Sequence, residues 1–303
     1  MEIKEFSKVM AREVKDKLGE EIDIESAEVV KNNGVVYHAL TIRKKGQCIA
    51  PTIYIDRMLE RYNRGVLLMS LVDEVVALYR QCAPASDVDV NLFDDFSKVS
   101  EHLFFKVVNY KKNKKKLENV PIKRVCDLAL VPLAMFDHPK MGTGTVTIDN
   151  SLLGAWEISK EELWENVVES APYVAPPKIK GLSDFLTSIT GMEPDCELDG
   201  TLCGIYVLTN TSGNLGAGTI FYPGVLRGIA EDHECDLLII PSSIHECIVI
   251  PDSGLCTDTA YLKEIIREVN RTTVADEEIL SDNLYVYDRE EDKFFAVNEL
   301  TIN

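Results

Sequence analysis

The stretch LLIIPSSIHECIVIP, residues 237–251, reads as two strands joined by a turn at Pro241-Ser242-Ser243, where the hydroxyls satisfy backbone groups of the turn. Leu237 to Ile240 are all apolar, so both faces of the first strand need cover, as in the interior of a sheet. If residues 244–250 form the second strand, a period of two sets Ser243, His245 and Cys247 on one face and Ile244, Glu246, Ile248 and Ile250 on the other. A helix follows Thr257-Asp258, with Leu262, Ile265, Ile266 and Val269 as its apolar stripe. The result is a strand-strand-helix unit.

The same order recurs upstream. DLALVPLAMF (127–136) and GTVTIDN (144–150) precede a helix opened by the capping box of Ser159 and Glu162. GIYVLTN (204–210) and AGTIFY (217–222) precede a helix opened by Pro223-Gly224 and ending near His233. A last hairpin, NLYVYD and KFFAV around REEDK, closes the pattern at 283–297. Hairpins with helices laid over them point to an α+β fold of mostly antiparallel sheets with helices packed on one face, and to repeated strand-strand-helix units in the second half.

Toward the N-terminus, Ile3, Phe6, Val9, Met10, Val14 and Leu18 make one helical stripe that Gly19 ends. Asn33-Gly34 and Lys45-Gly46 then mark the turns of a three-stranded meander. Helices over about 56–63 and 67–82 follow, the second ended by Pro84, and HLFFKVVNY (102–110) reads as a strand. The expected division is a domain at 1–120 and a domain at 121–303, the latter with a Pro/Gly-rich insertion at 171–200 that is an irregular segment with a short helix or a hinge.

Charge divides unevenly. Residues 1–150 hold 23 Lys and Arg against 22 Asp and Glu, whereas residues 151–303 hold 9 against 28, so the net charge of −18 lies in the second half. Such a surface repels nucleic acid and anionic membranes; the dense basic run, Lys111 to Lys116, lacks stacking aromatics and reads as a solvated turn or helix start. No apolar run approaches the roughly 18 residues that span a bilayer, and the N-terminus alternates charged and apolar residues, so a cytoplasmic protein is expected. Eight cysteines without a CxxC pair read as free thiols.

Five segments carry a resemblance: KKGQCIAPTIYID, IDNSLLGAWEISKEELWENVVESAP, YPGVLRGIAE, LLIIPSSIHECIVIP and IREVNRTTVADEEILSDNLYVYDR. Together they resemble, in order and across nearly the whole chain, a bacterial domain family that carries only a placeholder name for unknown function. The later segments are more distantly similar to another uncharacterised bacterial family with the same strand-helix order. The resemblance implies a bacterial cytoplasmic origin and brings no activity or catalytic residue.

Chemistry is sought first at Ser243, His245 and Glu246, the candidate catalytic residues. A Ser-His-acid site needs the hydroxyl within reach of an imidazole whose other nitrogen a carboxylate holds, and opposite strand faces separate His245 from Glu246. A zinc site would have to join His245 and Cys247 to His233 and Cys235, without any common zinc spacing. TSGNLGAG (211–218) lacks a phosphate-loop order and reads as a hairpin loop; Asp276, Glu277 and Glu278 suit a helix start; Trp156 and Trp164 suit a core. No metal and no cofactor is expected. The leading reading is a non-catalytic accessory protein that binds a protein partner through its acidic second half; the alternative is a hydrolase-like enzyme at Ser243, His245 and Glu246. Glu246 between isoleucines needs a partner under either reading.

Overall fold

A computed structural model describes residues 1–47, 50–82, 93–138, 142–191, 204–252 and 258–297. Pro84, Thr257, Cys48, Cys196, Cys203 and Cys256 lie outside the described residues. The chain divides into two compact units, residues 1–91 with 136–144 and residues 92–135 with 145–303, and the Lys111–Lys116 run falls in the second unit.

In the first unit, helix α1 (Ile3–Leu18) buries Phe6, Met10 and Val14 completely and ends at Gly19, whose φ of 91° side chains avoid. Strands β1 (Ile22–Val30) and β2 (Val36–Lys44) pair antiparallel about Asn33 and Gly34, which take φ of 58° and 76°, and β3 (Thr52–Tyr54) pairs with β2. Helices α2 (Asp56–Asn63) and α3 (Leu68–Cys82) complete it. The α3 residues Leu71, Val72, Val75, Val76 and Tyr79 meet Phe6, Met10, Leu40 and Ile42 in one core. Each such burial contributes about 1.5–3 kcal/mol.

The second unit begins with α4 (Phe96–Val99), β4 (Leu103–Asn109) and α5 (Tyr110–Asn113). The lysine run therefore forms exposed helical turns, Lys114–Leu117 continuing as a 3-10 helix. Strands β5 (Lys123–Val125) and β6 (Leu128–His138) join β4 in a sheet ordered β4-β6-β5, and β7 (Gly142–Thr147) pairs with β6; the end of β6 and the start of β7, within 136–144, are counted with the first unit. Two helices follow: α6 (Asn150–Trp156), capped by the Asp149 carboxylate, and α7 (Lys160–Val174), where the Ser159 hydroxyl accepts from the Glu162 N–H. β7 covers most of the expected strand GTVTIDN, and α6 is a further helix that the sequence does not announce. Trp164 is fully buried against Phe105 and donates its indole N–H to the Pro121 carbonyl at 2.6 Å, so it is a core residue.

A six-stranded antiparallel sheet holds the rest, in the order β13-β12-β10-β11-β9-β8. Its strands are β8 (Pro177–Gly181), β9 (Tyr206–Asn210), β10 (Asp236–Ile240), β11 (Cys247–Asp252), β12 (Tyr285–Asp288) and β13 (Lys293–Ala296). Leu237, Leu238 and Ile239 are at most 1% exposed, as an interior strand requires. Between strands run α8 (Leu182–Thr190), α9 (Val225–His233) and α10 (Thr259–Thr272). Leu262 and Ile266 of α10 cover Leu238, Ile250 and Val286 on one sheet face.

Two expectations fail here. AGTIFY is not a strand: Gly216–Phe221 is a buried 3-10 helix in which the Thr219 hydroxyl donates to the Gly216 carbonyl at 2.7 Å. The partner of β9 is instead β8, from within the 171–200 insertion, whose Pro177 stands first in an edge strand where its missing N–H costs no ladder bond. With β8 on one side of β9 and β11 on the other, no edge remains for AGTIFY, and the middle strand-strand-helix unit does not exist. On α10 the expected stripe is half right. Leu262 and Ile266 face the core, whereas Ile265 and Val269 are 38% and 42% exposed, and Lys263 and Asn270 take buried positions.

Candidate functional site

The β10–β11 connection is longer than a tight hairpin, because β11 starts only at Cys247. Ser243 and His245 therefore stand in a six-residue loop and not on a strand face, and Glu246 is not sandwiched between isoleucines of a sheet. The Ser243 N–H donates to the Glu246 carbonyl at 3.1 Å, and the Ile244 N–H to the Glu278 carbonyl at 2.9 Å. The loop is thus tied both to itself and to the turn that follows α10.

A second loop packs on it. Gly216 opens the 3-10 helix with its Cα so close to the Asn210 backbone nitrogen and the His245 carbonyl that a methyl group would sit 2.5 and 2.6 Å from them. Leu215, just before it, takes a left-handed φ of 56° and directs its N–H to His245 Nδ1 at 3.1 Å. The Thr209 hydroxyl donates to the His245 carbonyl at 2.7 Å. TSGNLGAG is therefore the passage from β9 into a buried 3-10 helix, placed to fix an imidazole, and not a hairpin loop.

These contacts decide the roles of the candidates. Because Nδ1 accepts from a backbone N–H, the neutral imidazole carries its proton on Nε2, which lies 3.5 Å from Glu278 Oε1. The Ser243 hydroxyl donates to Glu246 Oε1 at 2.8 Å and accepts from the His245 N–H at 2.9 Å; the Ser242 hydroxyl also reaches Glu246 Oε1, at 3.3 Å. The structure brings Ser243, His245 and Glu246 together, yet no bond joins the Ser243 hydroxyl to the imidazole. The partner of Glu246 is a pair of hydroxyls and not the Lys or Arg that a buried carboxylate calls for.

An open cleft of about 420 Å³ lies over these groups, with Asn214, Ser242, His245, Glu246, Thr273 and Glu278 among its lining residues. Among the described residues no Lys or Arg pairs with Glu246 or Glu278, so the cleft presents two carboxylates and one imidazole. Thr273 carries no signal in the sequence, and Glu278 is visible there only as part of an acidic triplet that suits a helix start. Asp276 to Glu278 form a turn after α10 and not a helix start, and only the antiparallel sheet brings that turn beside the β10–β11 loop. The one visible signal was the acidic triplet itself.

The remaining candidates lie elsewhere. His233 ends α9, where its Nε2 meets the Tyr206 hydroxyl at 2.8 Å, and Cys235 begins the passage into β10. The two His-Glu-Cys tripeptides thus occupy a helix end and a loop. Cys247 is fully buried and its thiol is pushed up, chiefly by burial and secondarily by Glu246, so it is no thiolate nucleophile. Among the described residues no three His, Cys, Asp or Glu side chains are placed to hold a metal ion, and no helix is long and apolar enough to cross a membrane.

No curated protein and no solved structure matches the chain. A family match covers residues 3–289, nearly its whole length, with the cleft inside it. The chain belongs to DUF5688, a family of unknown function.

Proposed function

We propose that this chain is a non-catalytic accessory protein of a bacterial cytoplasm, and that its cleft receives a cationic side chain, Arg or Lys, of a protein partner. The observation that carries the reading is the Glu246 carboxylate, held by two serine hydroxyls and facing a cleft shared with Glu278. Hydroxyls position a carboxylate without cancelling its charge, so the site is ordered in advance and still attracts a cation. The excess of 28 acids over 9 bases in residues 151–303 adds long-range attraction for a basic partner. Free thiols at Cys82, Cys126, Cys235 and Cys247 suit a reducing compartment.

The hydrolytic alternative draws less support. A serine nucleophile needs its hydroxyl on the imidazole, whereas the Ser243 hydroxyl is turned to Glu246 and His245 Nδ1 is occupied by a backbone N–H. The test is the affinity of a fluorescent oligoarginine peptide for the wild-type protein and for the Glu246→Gln/Glu278→Gln variant. The variant is expected to bind at least about tenfold more weakly, since each removed charge is worth about fivefold at contact even in water. Equal affinity of the two proteins contradicts the reading.

A further inference from the structure

The β8 edge of the six-stranded sheet holds a second pocket, of about 220 Å³, which shares only Gly213 with the acidic cleft. Lys178 and Lys180 line it from β8, paired across to Thr209 and Val207 of β9, with Thr211 and Ser212 at its rim. A period of two sets both ammonium groups on one face of the strand, roughly 7 Å apart at the backbone. Like charges so placed repel, and the cost is relieved by an anion between them.

The other bases of residues 151–303 are partnered only in part. Arg227, Arg271 and Lys293 each hold a carboxylate, at 2.8, 2.6 and 2.7 Å, and Lys263 donates to the Val297 carbonyl. Among the described residues the side chains of Lys178 and Lys180, like those of Lys160 and Arg289, hold no carboxylate, although residues 151–303 carry 28 acids; what sets Lys178 and Lys180 apart is that they share one pocket.

The loop beside them is built. Asn210, only 2% exposed, donates to the Asn214 carbonyl at 2.7 Å and accepts from the Ser212 hydroxyl at 2.8 Å. The N–H groups of Thr211, Gly213 and Asn214 are used in holding that shape, on the Pro176 carbonyl, the Asn210 carbonyl and the Ser212 hydroxyl. The Ser212 N–H and the Thr211 hydroxyl are not engaged by any described residue, and Thr211 and Ser212 line the pocket that contains the two lysines.

From this arrangement we infer an oxyanion-binding site: Lys178 and Lys180 supply charge, and the Ser212 N–H and Thr211 hydroxyl supply directed donors. The ligand it fits is a small group with several acceptor oxygens, a phosphate or a carboxylate. The site is independent of the cation cleft and stands whether or not that cleft binds a partner.

The test follows backbone amide resonances of the full chain while inorganic phosphate, and in a second arm acetate, is added. Phosphate is expected to move the Thr211, Ser212 and Gly213 resonances to saturation. In the Lys178→Gln/Lys180→Gln variant the apparent affinity falls by about twenty-five-fold, two contacts at about fivefold each. Response to phosphate alone marks a phosphate-type ligand, and response to both anions marks an oxyanion site of broader range. No movement at these three residues with either anion overturns the site, as does movement that persists unchanged in the variant.

Discussion

The hydroxyl of Ser243 donates to the carboxylate of Glu246 at 2.8 Å, closing the β10–β11 loop on itself beside the Ser243 N–H to Glu246 carbonyl bond. One residue thereby shapes the loop and aims the acid that faces the cleft. Ser243→Ala removes that bond and the acceptor of the His245 N–H as well. We expect a loss of about 1–2 kcal/mol in urea unfolding, against under about 0.5 kcal/mol for Ser242→Ala, whose bond to Glu246 is longer.

Gly216 is where one backbone passes over another. A Cβ there meets the Thr209 hydroxyl, the Asn210 nitrogen and the His245 carbonyl, none of which is the free end of a flexible chain. Gly216→Ala should cost about 2–3 kcal/mol and shift the His245 imidazole resonances. Gly228→Ala is the control, because its methyl group enters open space on α9. That change should stabilise the protein by about 0.5–1 kcal/mol through helix propensity.

Asp127 ties the β5–β6 turn to the far end of the chain. Its carboxylate accepts from the Tyr285 hydroxyl at 2.7 Å, the Ser281 hydroxyl at 2.8 Å and the Asn109 side chain at 3.3 Å. Tyr285→Phe keeps the packing and deletes one bond to a charged acceptor, so calorimetry should show a loss of about 1.5–3 kcal/mol.

Alkaline pH should destabilise the protein through its buried acids. Burial pushes the Tyr222 hydroxyl and the Cys247 thiol well up, and burial with the Asp292 hydrogen bond raises Tyr287 to about 12. A raised pKa means that the folded state holds its proton more tightly than the unfolded chain. The stabilisation is therefore complete below the unfolded values, about 8.5 for Cys and 10 for Tyr, and declines as the pH rises above them. Urea midpoints from pH 8 to 11 should fall, and Tyr222→Phe should make the fall above about pH 10 shallower by up to one proton.

Elements are legible in the amino-acid sequence where local chemistry is decisive. Asn33-Gly34 accepts the left-handed angles of a tight turn, Ser159 caps a helix, and four apolar residues from Leu237 to Ile240 mark an interior strand. Elements are not legible where long-range contacts choose. AGTIFY is apolar enough for a strand, yet burial of Gly216 and Gly218 against Thr209, His245 and Phe105 makes it a 3-10 helix. PKIKG, with its Pro and two Lys, gave no strand signal, since only pairing with β9 defines it. At the site, Ser243, His245 and Glu246 were legible as residues. Their hydrogen bonds, and the arrival of Glu278, depend on loops that no periodicity describes.

The central claim is that Glu246 and Glu278 form one seat for a cation. The most direct measurement maps amide shifts of the chain as an oligoarginine peptide is added, at low and then at high salt. The account predicts shifts concentrated at residues 242–246 and 273–278, weakened as added salt shortens the screening length from about 8 toward 3 Å, and lost in Glu246→Gln/Glu278→Gln. Shifts spread evenly over the acidic surface, or unchanged in that variant, would contradict it.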